Sequence, residues 1–254
     1  DKKKGLRVIL EGCDQLQVSR IQPSAATLDI SPYVNRGLKD EVAGDRKGGW
    51  TDQGPSQDLD GIKPGKNKYA GIDFSIIDPA SNNGNSTLVI SGSEFRLPGS
   101  AEIKVNSKRN YSYLYLLHAG AWGPKNGQQL GTVSVKYSDG TSQKFPVIRA
   151  RDIGDTWNPV LSYANAKVGL RLEKKKSACG LYVSAFHLDR KKRVASIDFN
   201  VDKYVWGIAG ISLGNWPLPE SVEPPYIIRA GKEWRALENS GDILPGSPLD
   251  FSKN

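Results

Sequence analysis

The side chains of this chain that could do chemistry are few, and their spacing fits none of the common catalytic or metal-binding patterns. There are two histidines, His118 and His187, each at or near the end of a predicted strand and neither in a spacing such as H-E-x-x-H, so both read as structural. The only cysteines, Cys13 and Cys179, form no C-x-x-C, which leaves zinc and redox motifs without support. They are not expected to pair, because Cys13 lies in a terminal segment and Cys179 begins what reads as a buried strand. A Cys–His nucleophile is also disfavoured. Cys179 and His187 stand eight residues apart on one predicted strand, about 25 Å at the usual rise. No G-x-S-x-G, no G-x-x-x-x-G-K-[ST] and no G-x-G-x-x-G ahead of a helix is present, so serine-hydrolase, P-loop and dinucleotide-binding chemistries have no footing.

Carboxylates are more plentiful. Glycoside hydrolysis needs two of them facing each other across a cleft, and Asp45, Asp52, Asp58, Asp152 and Asp155 supply the groups without supplying the placement. Aspartates in glycine-rich loops more often cap turns through Asx hydrogen bonds or bind calcium. Asp58-Leu59-Asp60-Gly61 resembles a fragment of an oxygen-rich loop, but the rest of an EF-hand, including the closing Glu, is missing. A structural calcium elsewhere stays open as the one cofactor to expect, with no metal ligands assigned.

The elements that must hold these residues read as β-strands. Segments 86–90, 111–118, 131–137, 141–147, 167–172, 180–187, 194–200 and 205–213 are separated by turn chemistry with no helix between them, which predicts antiparallel sandwich packing rather than βαβ units. Ser138-Asp139-Gly140 between two alternating runs predicts a hairpin with a two-residue type I′ turn at Asp139-Gly140. Residues 40–79 differ. Gly48-Gly49, Gly54-Pro55, Pro64-Gly65 and Asp78-Pro79 break every periodic run and predict a long loop region, ordered because it carries Trp50, Tyr69, Phe74 and Ile76-Ile77. After residue 213 the composition shifts to Trp216-Pro217-Leu218-Pro219 and Pro224-Pro225, a domain exit. The expected organisation is therefore an N-terminal extension (1–27), a β-sandwich (28–215) and a linker (216–254) too poor in apolar residues for a core of its own, which packs back on the sandwich or leads into a neighbour.

Composition bounds the function. The chain has 254 residues, 38% of them hydrophobic. Mean hydropathy is -0.47. No apolar run approaches the roughly 20 residues of a spanning helix, so no membrane span is expected. The excess of Lys and Arg gives a net charge of +8, which favours anionic partners. The clusters Lys2-Lys3-Lys4, Lys174-Lys175-Lys176 and Arg190-Lys191-Lys192-Arg193 could serve nucleic acid. Two of them fall at predicted turns, where a charge run is normally solvated, so a nucleic-acid partner is not expected. The start at Asp1 and the lack of Met lead us to expect a mature or excised piece of a longer protein.

Several stretches carry a resemblance. Asp40-Glu41-Val42-Ala43-Gly44-Asp45, Gly48-Gly49-Trp50-Thr51-Asp52-Gln53-Gly54-Pro55, Asp58-Leu59, Phe74-Ser75-Ile76-Ile77-Asp78-Pro79, the run from Tyr113 through Trp122, Tyr137-Ser138-Asp139-Gly140-Thr141 and Arg151-Asp152-Ile153-Gly154-Asp155-Thr156-Trp157-Asn158-Pro159 follow one another in the order of an accessory module of bacterial secreted glycoside hydrolases and polysaccharide-utilisation proteins. The chain resembles that module over roughly 28–213, most specifically from Gly48 to Pro55. The resemblance implies an all-β antiparallel sandwich, jelly-roll or galactose-binding-like. It further implies export (secreted, periplasmic or cell-surface) and a catalytic domain on the same polypeptide, towards which the tail around Trp234 and Phe251 would lead. One departure is Thr156, where a second aromatic before Trp157 would be usual.

Sugar binding uses flat aromatic faces against the C–H face of the ring and a few fixed polar groups for its hydroxyls. Trp50, Trp122 and Trp157 all fall in loops or at strand ends. With Asp52, His118, Arg151 and Asp155 as polar partners they are the expected carbohydrate-binding residues. The expected function is thus a non-catalytic carbohydrate-binding module, for an acidic or sulfated polysaccharide on the strength of the charge. The alternatives are a spacer that orients a catalytic domain and binds nothing, and a freestanding glycoside hydrolase or lyase.

Overall fold

The structure, a computed structural model, describes residues 25–92, 97–175 and 177–219 together with the backbone of 226–229. Its strands are β1 (Ala26–Thr27), β2 (Gly65–Tyr69), β3 (Ile72–Ile76), β4 (Leu88–Ser91), β5 (Ser100–Lys104), β6 (Tyr113–Ala121), β7 (Gln129–Tyr137), β8 (Ser142–Ile148), β9 (Ala166–Glu173), β10 (Ala178–His187), β11 (Val194–Asn200), β12 (Val205–Gly214) and β13 (Tyr226–Arg229). The one helical turn among the described residues is a 3-10 turn at Pro79–Ser81, capped by the Asp78 side chain. The fold is all-β, as expected.

A seven-stranded sheet runs β1-β12-β6-β10-β9-β13, with β4 also on β12, and a four-stranded sheet runs β5-β11-β7-β8. Pairing is antiparallel except for β13, which joins β9 in parallel. Alternation along the strands fills the space between the two sheets: Leu114 and Leu116 of β6 and Trp206 and Ile208 of β12 meet Val133 and Val135 of β7 and Ile197 and Phe199 of β11 in one cluster. β8 is an edge of its sheet, which is where a strand containing Pro146 can be tolerated.

The large sheet is covered on its other face as well. Tyr115, Leu117 and Ala119 of β6, Ala209 of β12 and Leu181 and Val183 of β10 pack in a second cluster with Trp50, Leu59, Ile62, Ile72 and Phe74. The glycine-rich region 40–79 is therefore a third layer, and the central strands are buried on both faces. That is why β6 reads as an unbroken apolar run instead of an alternating one.

Two expectations need correction. Region 40–79 is not all loop: it contains the β2–β3 hairpin, whose Ala70-Gly71 turn has the positive φ at both central residues (47° and 79°) that a type I′ turn requires. The Asp139-Gly140 turn is not type I′. Only Gly140 has positive φ (85°), the Gly140 N–H donates to Tyr137 O and the Tyr137 N–H to Thr141 O. This is a type I turn over Ser138 and Asp139 closed by a glycine bulge, giving three loop residues instead of two. The large sheet also takes in Ala26–Thr27 and, from the tail, Tyr226–Arg229, which packs back on the sandwich as one of the two expected alternatives.

Candidate functional site

At one end of the sandwich, loops 122–128 and 149–165 come together. Segment 154–158 threads between the diverging ends of β6 and β10: the Gly120 N–H donates to Gly154 O, the Thr156 N–H to Gly120 O, the Gly180 N–H to Thr156 O and the Asn158 N–H to Ala178 O. Trp157 is thus mounted on backbone held from both sides, and its side chain stands out into solvent at 55% exposure.

Asp155 organises the surroundings. Its Oδ1 accepts from the Trp157 N–H at 3.0 Å and its Oδ2 from Arg149 Nη2 at 3.3 Å. Arg149 Nη1 also donates to Gly123 O (3.3 Å) and Pro124 O (2.6 Å), which ties the Trp122 loop to Asp155. Trp157, Arg149, Asp155, Asn126, Asn158 and the stacked pair Tyr163–Tyr182 line a groove of about 210 Å³. Burial pushes the Tyr182 phenol up, so its hydroxyl remains a neutral hydrogen-bonding group.

Of the expected site residues, the structure brings together Trp157 and Asp155, with Trp122 (45% exposed) on the adjoining loop. Arg151 lies in the same loop, but its guanidinium is committed to the Asp152 carboxylate and Pro146 O. Asp52 lies half-buried in the third layer, its Oδ1 accepting from the Arg46 N–H.

Two assignments are wrong. Trp50 is 2% exposed, packed against Gly207, and has no face to offer a sugar. His118 is fully buried between β10 and β12. Arg149 was missed. It sits at the end of a strand with nothing in its local sequence to mark it, and only the approach of loop 122–128 gives it a role.

His118, Ser184 and Asp152 form a line that superficially resembles a catalytic triad. Trp206 Nε1 can only donate, and it does so to His118 Nδ1 at 3.0 Å, so the ring hydrogen is on Nε2 and points at Ser184 Oγ 2.8 Å away. Ser184 in turn donates to the backbone carbonyl of Asp152. The imidazole therefore gives a proton towards the serine where a base would take one, and burial drives its pKa down to about 3. The line is a buried hydrogen-bond relay. The Asp152 carboxylate is spent elsewhere, on the Ile148 N–H, Arg151 and Asn165. Cys179 is equally inert: its thiol donates to Asp58 O and burial pushes its pKa up to about 12. Cys13 lies outside the described residues.

The basic runs are also partly structural. Lys174 pairs with the buried Asp58 and is itself only 12% exposed, so it is not a solvated member of its run, whereas Lys175 is exposed. Asp58 is thereby engaged as the ion-pair partner of Lys174. Lys192 bonds Asp139 and Thr141, lining a wider groove of about 770 Å³ with Tyr113, His187 and Gln143 at the opposite end of the sandwich. Lys2-Lys3-Lys4 lies outside the described residues.

Fold and site together define an all-β sandwich with an aromatic groove on its loops. Compared with protein-family models, with curated proteins and with solved structures, the chain finds no match in any of the three.

Proposed function

We propose that this chain is a non-catalytic carbohydrate-binding module and that the groove at Trp157 takes the sugar. The observation that carries the reading is a concentration of exposed apolar surface. Of the three exposed tryptophans among the described residues, Trp122 and Trp157 both stand on these two loops. A flat indole beside an Arg–Asp pair, two asparagines and a tyrosine hydroxyl is the combination that pyranose recognition needs. Among the described residues Asp155 is the one carboxylate lining the groove, and it already serves Arg149 and Trp157; a glycosidase needs two. The net charge of +8 favours an acidic or sulfated polysaccharide. The resemblance adds a setting: an exported bacterial protein in which this module accompanies a catalytic domain of the same polypeptide.

The test is an affinity-gel and glycan-array screen of the chain against neutral, carboxylated and sulfated polysaccharides, repeated with Trp157→Ala. Stacking contributes on the order of 1 kcal/mol, so the variant should bind at least several-fold more weakly with its melting temperature nearly unchanged. Retained binding in Trp157→Ala would move the site elsewhere. The spacer reading has its own support in Val160 and Leu161, at 61% and 64% exposure, which suit a neighbouring domain better than a sugar. A blank screen would favour it.

A further inference from the structure

The third layer holds a cluster of carboxylates that the carbohydrate reading does not use. One oxygen from each of Asp40, Asp45 and Asp52 lies within 4.8 Å of the others, with Asp40 buried, Asp52 half-buried and Asp45 exposed. Such a cluster alone would mean little. Asp40 makes the difference, because the residue is 1% exposed and its Oδ1 is buried without any hydrogen-bond partner. A buried carboxylate oxygen with no donor is costly in a folded protein, and the two other carboxylates nearby make the deficit worse.

The surrounding chain wraps closely round this group. Gly48 and Gly49 press on Asp40 so tightly that a β-carbon at Gly49 would lie 2.6 Å from Asp40 Cβ. The Asp40 N–H is held by Asp58 Oδ2, which anchors its backbone to the ion pair with Lys174. The carboxylate is thus fixed in place and cannot swing out to water for a partner. A cation would supply one.

We infer that Asp40, Asp45 and Asp52 form a calcium site that clamps the 40–54 loop. The donors are all hard oxygens with no nitrogen or sulfur among them, which selects calcium or magnesium over zinc or copper. Calcium–oxygen distances of about 2.4 Å place ligands on opposite sides of the ion about 4.8 Å apart, and the three oxygens lie within that distance of one another, so one ion can reach all of them. Calcium also completes its shell with water and tolerates an irregular set, whereas magnesium demands a near-ideal octahedron. Asp45 reaches the site from the exposed side, so ions enter there. Trp50 follows Gly49 directly, so a clamped loop holds the indole that covers the large sheet.

Calcium is titrated into the EDTA-treated full chain by calorimetry, in parallel with thermal unfolding in EDTA and in calcium. The expected result is a single site and a higher melting temperature in calcium. Asp45→Asn and Asp52→Asn should each weaken binding at least ten-fold, while Asp60→Asn, on the same layer but outside the cluster, should leave it unchanged. Asp45 is exposed, so its variant tests the site without threatening the fold. The assignment is overturned if about 10 mM calcium, above the weak end of protein calcium sites, gives neither heat nor a shift, or if binding survives both cluster variants. Magnesium binding as tightly as calcium would overturn the choice of ion. None of these outcomes depends on whether the chain binds sugar.

Discussion

Trp50 packs directly on Gly207: a β-carbon added to Gly207 would lie 2.1 Å from Trp50 Cε3. The absent side chain on β12 is what lets the third layer approach the sheet. Gly207→Ala should therefore cost about 1–3 kcal/mol through overpacking, and Trp50→Ala about 3–5 kcal/mol through the cavity it leaves, both read from denaturant midpoints. Glycan affinity, where present, should be unaffected by either change. A Gly207→Ala protein of wild-type stability would contradict the packing described.

Arg149 is expected to matter to the groove more than Arg151, although the sequence pointed to Arg151. Arg149→Ala releases loop 122–128 from Asp155 and should cost about 1–3 kcal/mol for the lost charged hydrogen bonds. Amide hydrogen exchange should quicken in loops 122–128 and 149–165 and stay unchanged at the Ser138–Gly140 turn at the other end. Unchanged exchange in both loops would show that Arg149 does not tie them.

Acid should weaken the fold through His118. Its folded pKa, about 3, lies below the usual 6.5, so between those values the unfolded chain takes up a proton that the folded chain refuses. Stability is fully present above about pH 6.5 and falls as the pH drops towards 3, by at most about 1.4 kcal/mol per pH unit from this group. Denaturant titrations of the wild type and His118→Gln from pH 7 to 4 should differ by that slope. Parallel curves would place the acid sensitivity elsewhere.

Lys174 holds a buried charge in place, which its position in a lysine run conceals. Lys174→Ala leaves Asp58, 2% exposed, without its cation and should cost about 3–5 kcal/mol. Lys191→Ala, at the exposed turn, should cost less than about 0.5 kcal/mol. Equal losses from the two, measured by thermal or denaturant unfolding, would refute a structural role for Lys174.

The sequence by itself determined most of the strands after residue 85, though not β5 (Ser100–Lys104). Val194–Asn200 falls where the alternation puts it, and the neighbouring strands lie within two or three residues of their expected bounds, because β propensity and turn chemistry are local. The order of region 40–79 was also legible, since Trp50, Tyr69 and Phe74 need burial wherever they go. Only the tertiary structure decided what they cover. β6 and β12 carry apolar side chains on both faces, and a sequence cannot show whether the second face meets a third layer, a partner or solvent. The turn types illustrate the same limit: Ala70-Gly71 and Asp139-Gly140 both end in glycine, and strand pairing across the turn selected the type I′ turn at the less typical of the two. The candidate site divides along this line as well. A tryptophan's type is written in the sequence, but the residues brought against it are not, so Trp50 and Trp157 look alike until the fold buries one under the third layer and mounts the other between β6 and β10, with an arginine from a neighbouring strand end beside it.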